Sequence, residues 1–329
     1  MNFAQFTAPT VPKSGAPLMP EHVDSLGEGL WELASRALGA LRPDLREGAA
    51  VCFAIVAVVL LISVLKVLPG SGDKLGDFVG ALGIGTLLLR SGNSLIRLAE
   101  TTIGEISAYG KLLLTVMTSA LAAQGGITSS TALYAGTAFF DTVLCSLLNR
   151  LMIPGVYIFL ILCLGSAAMG EPVLKKLADL TRWASLWILK IILYGFTGYM
   201  GITGVVSGST DAAALKAAKL TISGVVPVVG GILADASEAV LVGAGVVRSA
   251  AGIYGILSII AVFAGPFLKI GCHYLLIRFT GAVCDIFGVK SCSRIVSDFS
   301  DAMGLLLAMT GSVCILQLIS TVCFLRGVG

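Results

Sequence analysis

The sequence predicts an all-α integral membrane protein, and three observations carry that expectation. The chain is 56% hydrophobic and 12% charged over 329 residues, whereas an ordinary soluble domain carries about 25% charged residues. Its mean hydropathy is +0.95. Its apolar runs are unbroken rather than alternating, which fits spanning helices and not the strands of a membrane barrel. The 40 glycines suit closely packed membrane helices, where small side chains let backbones approach. A net charge of +3, scattered along the chain, leaves no basic footprint for nucleic acid.

A spanning helix needs about 20 mostly apolar residues, so charge-free runs measure the spans. Gly48–Leu65, Leu151–Gly170, Ile191–Thr210, Ser249–Leu268 and Ala302–Leu325 qualify directly. Phe78–Leu89 is shorter, ends at Arg90, and reads as a half-span or an interfacial helix. Leu112–Phe140 is broken by Gln124-Gly125-Gly126, so one helix ends there and a second runs through Asp141 to about Leu148. Thr221–Val247 is interrupted in the same way at Pro227, Gly230 and Gly231. The expectation is seven to nine hydrophobic helices, some of them broken or re-entrant.

Residues 1–47 differ from the polytopic domain expected over 48–329. Four prolines precede residue 21, and Leu26, Leu30, Leu33, Ala37 and Leu41 then recur at helical spacing. Glu21, Asp24, Glu28 and Glu32 flank this stripe, giving an amphipathic helix outside the bilayer core. No basic region followed by an apolar core precedes it, so no signal peptide is recognisable.

A comparison of each position with the one 97 residues later suggests a three-span inverted repeat. Val143/Val240, Leu144/Leu241, Gly155/Gly252, Tyr157/Tyr254, Leu160/Leu257 and Ala167/Ala264 coincide, and Asp141 falls on Glu238. A three-residue gap then brings Pro172–Lys175 onto Pro266–Lys269. Inverted repeats with broken helices are a transporter-like pattern, and low-complexity apolar sequence is the other source of such matches.

Asp141, Asp235 and Glu238 are the carboxylates expected within the membrane, where an ionisable group costs roughly 2.5–3.5 kcal/mol on insertion scales. Arg150, Arg248, Lys190, Lys269 and Arg278 are available counter-charges. Asp141 to Arg150 and Glu238 to Arg248 are nine and ten residues apart, about 14–15 Å along one helix, so any partner must come from another helix. These carboxylates either pair structurally or serve a conduction or coupling role. Pro227, Gly230 and Gly231 would supply the helix break beside Asp235 and Glu238.

Other patterns are weaker. Gly195, Gly198, Gly201 and Gly204, with Gly208 beyond, form a groove for a neighbouring helix. Gly70-Ser71-Gly72-Asp73 matches the GxGD pattern of aspartyl intramembrane proteases, but it follows Pro69 and precedes Lys74 as an interfacial turn would. Cys272-His273 with Cys284 and Cys292 has no compact zinc spacing, so core packing is expected and no metal is assigned. No phosphate loop, HExxH or GxSxG occurs. The chain is therefore not expected to be an enzyme, and no cofactor is implied.

The segment Pro227–Tyr254, with P-V-V-G-G, D-A-x-E-x-V-L and then G-I-Y, resembles the stage III sporulation protein AE family of endospore-forming bacteria. The resemblance continues through Pro266–Ile270 and Gly304–Leu307, and more loosely at Pro17–Pro20 and Gly29-Leu30. It implies a multi-pass membrane subunit of a transenvelope channel or secretion complex joining mother cell and forespore. Its implied partners are the other stage III proteins, including a separately encoded ATPase, and the lipid bilayer. The implied location is the mother-cell membrane around the forespore. Family members usually begin with a signal peptide, which this sequence does not display. The competing reading is a free-standing secondary transporter with the broken helices as its binding site. Basic residues divide five against seven between the two sides of the expected topology, too evenly to fix orientation.

Overall fold

In a computed structural model the described residues are 11–20, 26–67, 73–123, 127–202 and 250–327, and those outside a few turns are helical. A 3-10 turn, Ala16–Leu18, precedes the helices among the described residues. In chain order these are α1 (Leu26–Ala40), α2 (Arg42–Val67), α3 (Asp73–Ala123), α4 (Ile127–Leu147), α5 (Ile153–Met169), α6 (Pro172–Ile202), α7 (Ala250–Ile286) and α8 (Lys290–Gly327). Among the described residues, five helical stretches are long and apolar enough to cross a membrane: Arg42–Leu65, Phe78–Ser119, Tyr134–Met169, Tyr254–Ile286 and Lys290–Val322.

Five is fewer than the seven to nine expected, and fusion explains part of the difference. Phe78–Leu89 and the run from Leu112 belong to one 51-residue helix, α3. The charged stretch between them contains no proline, and its polar residues are tolerant of helix, so polarity alone does not end it. A helix of that length is about 75 Å long, more than twice the hydrocarbon thickness of a bilayer. Likewise α4 and α5 join through a π-helical turn, Leu148–Met152, into one apolar stretch. Pro154 in the first turn of α5 has no N–H to continue the regular ladder. The expected helix running through Asp141 is α4, ending at Leu147. The Ile191–Thr210 run is described only to Ile202, and Thr221–Val247 lies outside the described residues.

Local chemistry sets the other ends. Pro43 and Asp44 occupy the first turn of α2, where a missing N–H costs nothing and a carboxylate meets the positive end of the helix dipole. Gly170 closes α5 at φ 72°, a left-handed conformation that glycine adopts freely, and its N–H bonds the Ser166 carbonyl at 2.9 Å. Gly288, also at φ 72°, turns α7 back into α8. Pro266 sits inside the continuous α7, whereas Pro172 opens α6 after the Gly170 turn. The aligned block Pro172–Lys175 and Pro266–Lys269 therefore differs in structure, and the suggested repeat does not extend to it.

α8 is the centre of the bundle. Its apolar window is 94% buried, and α3, α4, α5, α6 and α7 all pack against it. Side-chain contacts give the directions. Gly80 of α3 faces Cys292, Gly92 faces Phe299 and Gly110 faces Gln317, so α3 and α8 run parallel. Gly85 faces Leu164, and Tyr157 donates to Asn93 Oδ1 at 2.8 Å, so α5 runs antiparallel to α3. Along α2 and α7, Asp44 meets Lys269 and Gly48 meets Leu276, so these two are parallel.

These alignments place charge at one level. Arg90, Arg97 and Glu100 are exposed on the middle of α3. Beside that stretch stand Asp298 with Lys175, Asp301 with Arg182 and Arg278, and Asp44 with Lys269. Apolar side chains are exposed beyond this waist in both directions. Phe53, Leu61, Val79 and Phe279 lie on one side of it, and Leu112 and Phe139 on the other.

The amino-terminal stretch is anchored at the same height. α1 buries Leu26, Gly29, Leu33 and Ala37 and packs mainly on α7, so the amphipathic stripe expected from the sequence is the face it uses. Ser14 donates to Glu105 of α3, and Arg36 donates to the Met19 carbonyl at 2.7 Å. Gly15 lies directly on α7: a Cβ there would come within 2.8 Å of the Val262 backbone nitrogen. Backbone cannot yield as a side-chain tip can. Gly15→Val should therefore loosen this stretch by about 1–3 kcal/mol. Limited proteolysis of the detergent-solubilised protein should cut residues 11–20 faster than in the wild type, with α8 still protected.

Candidate functional site

Of the residues singled out from sequence, Asp141 is described and Asp235, Glu238, Pro227, Gly230 and Gly231 lie outside the described residues. Asp141 is fully buried on α4. Ser107 of α3 donates to its Oδ2 at 2.7 Å, and Gln317 Nε2 of α8 donates to its Oδ1 at 2.8 Å. Lys111 Nζ stands 3.4 Å from Oδ2, and the Cys145 thiol stands 3.8 Å from Oδ1. Four helical positions on three helices thus close around one carboxylate.

The sequence argument required a partner from another helix, and Lys111 and Gln317 meet that requirement. Neither was among the expected counter-charges. Of those, Lys269 pairs with Asp44 at 2.6 Å and Arg278 with Asp301 at 3.4 Å. Arg150 and Lys190 are exposed, and Arg248 lies outside the described residues. Lys111 could have been found by asking which cation interrupts the long α3 run one helical turn from a serine. Ser107 and Lys111 are four residues apart and share a face. Gln317 carried no local signal beyond being a polar residue in an apolar span.

Gly110 makes the node possible, because a Cβ there would overlap the Gln317 carboxamide. Gln317 Oε1 and Thr137 Oγ1, one turn before Asp141, are buried without a hydrogen-bond partner. Each such group costs about 1–3 kcal/mol. The carboxylate is therefore held by two neutral donors and a lysine whose side chain is 45% exposed. This arrangement keeps a charge fixed between helices. It also connects a buried carboxylate to solvent through one basic side chain.

A second polar cluster lies nearer the start of α8 and was not anticipated from sequence. Lys175 of α6 bonds Asp298 at 2.6 Å and Asp179 at 3.0 Å. Arg182, two turns along α6, bonds Asp301 at 2.6 Å. Burial alone would lower the Lys175 pKa, but hydrogen bonds from the ammonium to Asp298 and Asp179 outweigh it and hold the pKa above the ordinary lysine value. The spacing Asp298/Asp301 against Lys175/Arg182 matches one face of each helix. Only its occurrence on two different helices hid the pairing from a linear reading.

The remaining motifs resolve simply. His273 Nδ1 lies 2.9 Å from the Lys269 carbonyl, and Cys284 and Cys292 are buried among apolar side chains. A Cβ at Gly195 would meet the edge of Phe140 and one at Gly198 would meet nothing within 4 Å, so the expected glycine groove receives a neighbour only at Gly195 among these two, and Gly204 and Gly208 lie outside the described residues. Asp73 of the GxGD match is the first residue of α3.

Comparison with known proteins gives concordant matches. The family model described as Stage III sporulation protein AE matches residues 24–326. The Stage III sporulation protein AE of Bacillus subtilis (strain 168) is 24% identical over 221 residues, covering 64% of this chain and 54% of that protein. The match thus spans about half the length of the curated relative. No solved structure matches the chain.

Two substitution series test the geometry. Asp141→Asn keeps the shape and one accepting oxygen for Ser107, while the Gln317 carboxamide must turn over to accept from the new N–H2 group, and it should cost about 1–2 kcal/mol. Asp141→Leu strands Ser107, Gln317 and Lys111 and should cost about 3 kcal/mol or more. Thermal unfolding in detergent should rank them in that order. In the second cluster, Asp298→Asn and Lys175→Met should each destabilise. A double-mutant cycle should return a coupling of about 1–3 kcal/mol, well above that of an exposed pair.

Proposed function

Because the chain belongs to the stage III sporulation protein AE family, we propose that it is a multi-pass membrane subunit of a sporulation transenvelope channel or secretion complex. In this reading the complex connects mother cell and forespore and is required for late forespore development. The chain works in the mother-cell membrane around the forespore, beside other stage III proteins and a separately encoded ATPase. It acts as scaffold or conduit wall rather than as a catalyst. Residues 1–47 stay outside the hydrocarbon, and 48–329 form the membrane domain.

The family match over nearly the whole chain carries this reading, and the five span-length helices agree with it. Asp141 supports the scaffold role, since its donors come from α3 and α8 and leave the carboxylate no free face. Asp235 and Glu238, beside the break expected at Pro227, Gly230 and Gly231, are the polar positions for which a conduit role is proposed.

Complementation of spore formation in the native host tests the proposal. Glu238→Ala should lower spore yield by about tenfold or more at unchanged protein abundance, because a charge required at that depth is gone. Glu238→Gln separates charge from hydrogen bonding: near-normal yield would assign the residue a structural hydrogen bond. Full yield from Glu238→Ala at normal abundance would remove it from the functional residues. Purified protein in liposomes should pass no solute alone. Solute flux by the isolated chain would instead establish the secondary transporter.

A further inference from the structure

α6 turns a regular apolar seam outward. Val173, Leu177, Leu180, Ala184, Trp187 and Ile191 follow one another at spacings of four, three, four, three and four residues. That 3.5-residue period is the one that keeps a seam facing a second helix. Among the large side chains of this seam, Val173 is 61%, Leu180 56% and Trp187 49% exposed. Trp183 borders the seam, is 58% exposed, and lies against Trp187 with ring centroids 5.9 Å apart and planes tilted by 53°. The opposite side of α6 is already engaged, through Lys175 and Arg182, with α8.

Lipid is a poor cover for this seam. Lys176 and Lys190 are exposed and flank it on one side. They are 14 residues apart, about 21 Å along the helix, less than the roughly 30 Å of a hydrocarbon core. This part of α6 also stands at the charged waist, level with exposed Arg90 and Arg97 of α3. A large apolar seam at a polar level is the mark of a protein contact.

Charge selects the kind of contact. In heptad terms Lys176 and Lys190 occupy equivalent g positions two repeats apart, and Thr181 and Gly195 occupy the e positions that a parallel second copy would set against them. Self-pairing would leave both lysines without acidic partners. We propose that this face of α6 docks an amphipathic helix of another protein, with apolar residues at heptad spacing and carboxylates flanking them opposite Lys176 and Lys190. The inference adds a contact surface to the proposed multiprotein complex and rests on that reading for the partner's existence. Its test uses the purified chain alone, so the two can fail separately.

The chain has three tryptophans, and Trp31→Phe leaves only Trp183 and Trp187, both at this face. The full chain with that change is placed in neutral phosphatidylcholine nanodiscs. It is titrated with a designed helix about four heptads long, leucine at the seam and glutamate on both flanks, and with the same helix bearing lysine flanks. Tryptophan emission should shift to the blue and saturate with the glutamate helix at a concentration roughly tenfold lower than with the lysine helix. The double variant Lys176→Glu, Lys190→Glu should reverse the preference, with circular dichroism unchanged. No shift, equal affinities, or an unreversed preference would overturn the proposal. So would blue emission before any addition, which assigns the seam to the chain's own residues or to the phosphatidylcholine bilayer. A shift on adding phosphatidylserine without peptide would assign it to lipid, and a concentration-dependent dimer to a second copy; each result replaces the acidic helix.

Discussion

A helix buried on nearly every side depends on its neighbours to answer polar groups that it cannot satisfy itself, and α8 is such a helix. Its backbone is satisfied internally, and so are the hydroxyls of its carboxy-terminal half. Thr310, Ser312, Ser320 and Thr321 each donate to the carbonyl four residues earlier, at 2.6–2.9 Å. Asp298, Asp301 and Gln317 cannot be satisfied that way. Each reaches across an interface, to Lys175, to Arg182 with Arg278, and to Asp141. The rest of the bundle is arranged so that these meetings happen. Apolar packing supplies most of the driving force, but it tolerates sliding by a turn. A missed ion pair at this depth does not, because breaking one leaves a buried charge unpaired at about 3–5 kcal/mol.

Glycine supplies the clearance that lets the polar contacts form. Along α3, Gly80, Gly92 and Gly110 each lie under a side chain of α8 or its neighbours, respectively Ile62 with Cys292, Phe299 and Gln317. The last contact sits within one turn of Ser107, so close approach and the Asp141 node occur together. Small residues at a helix interface usually permit backbone contact. Here they admit large side chains from the partner, which fixes rotation about the helix axis as well as distance.

The sequence made the helical membrane class legible because composition and unbroken apolar runs are local properties. It also marked α1, whose buried face is the stripe read from Leu26 to Leu41, and it marked Asp141 as a carboxylate that needs a partner elsewhere. It misjudged the number of helices for a physical reason. Charge interrupts a hydropathy run, yet Arg90 to Lys111 contains nothing that interrupts a helix. The same confusion split α4 from α5, where Pro154 produces a π turn rather than an end. Lys111, Gln317 and the Asp298–Lys175 pair were hidden because each depends on which helices become neighbours. Linear spacing does not contain that information.

The two polar clusters differ in what they can do. Lys175 and Arg182 grip Asp298 and Asp301 at 2.6 Å from a single helix, which makes α6 a strut carried rigidly on α8. A rigid strut with an exposed outer seam is well placed to transmit a docking event to the bundle, since it cannot rotate away from α8 without parting both pairs. Asp141 is held differently, by two neutral donors and by a lysine that remains half in solvent. Separation of α4 from α8 would cost the Gln317 bond but leave the Lys111 pair available. If any interface within the described bundle opens during work, the physical chemistry favours the one at Asp141 over the one at Asp298, because Asp141 keeps half-hydrated Lys111 when α4 and α8 part, whereas Asp298 loses Lys175 when α6 leaves.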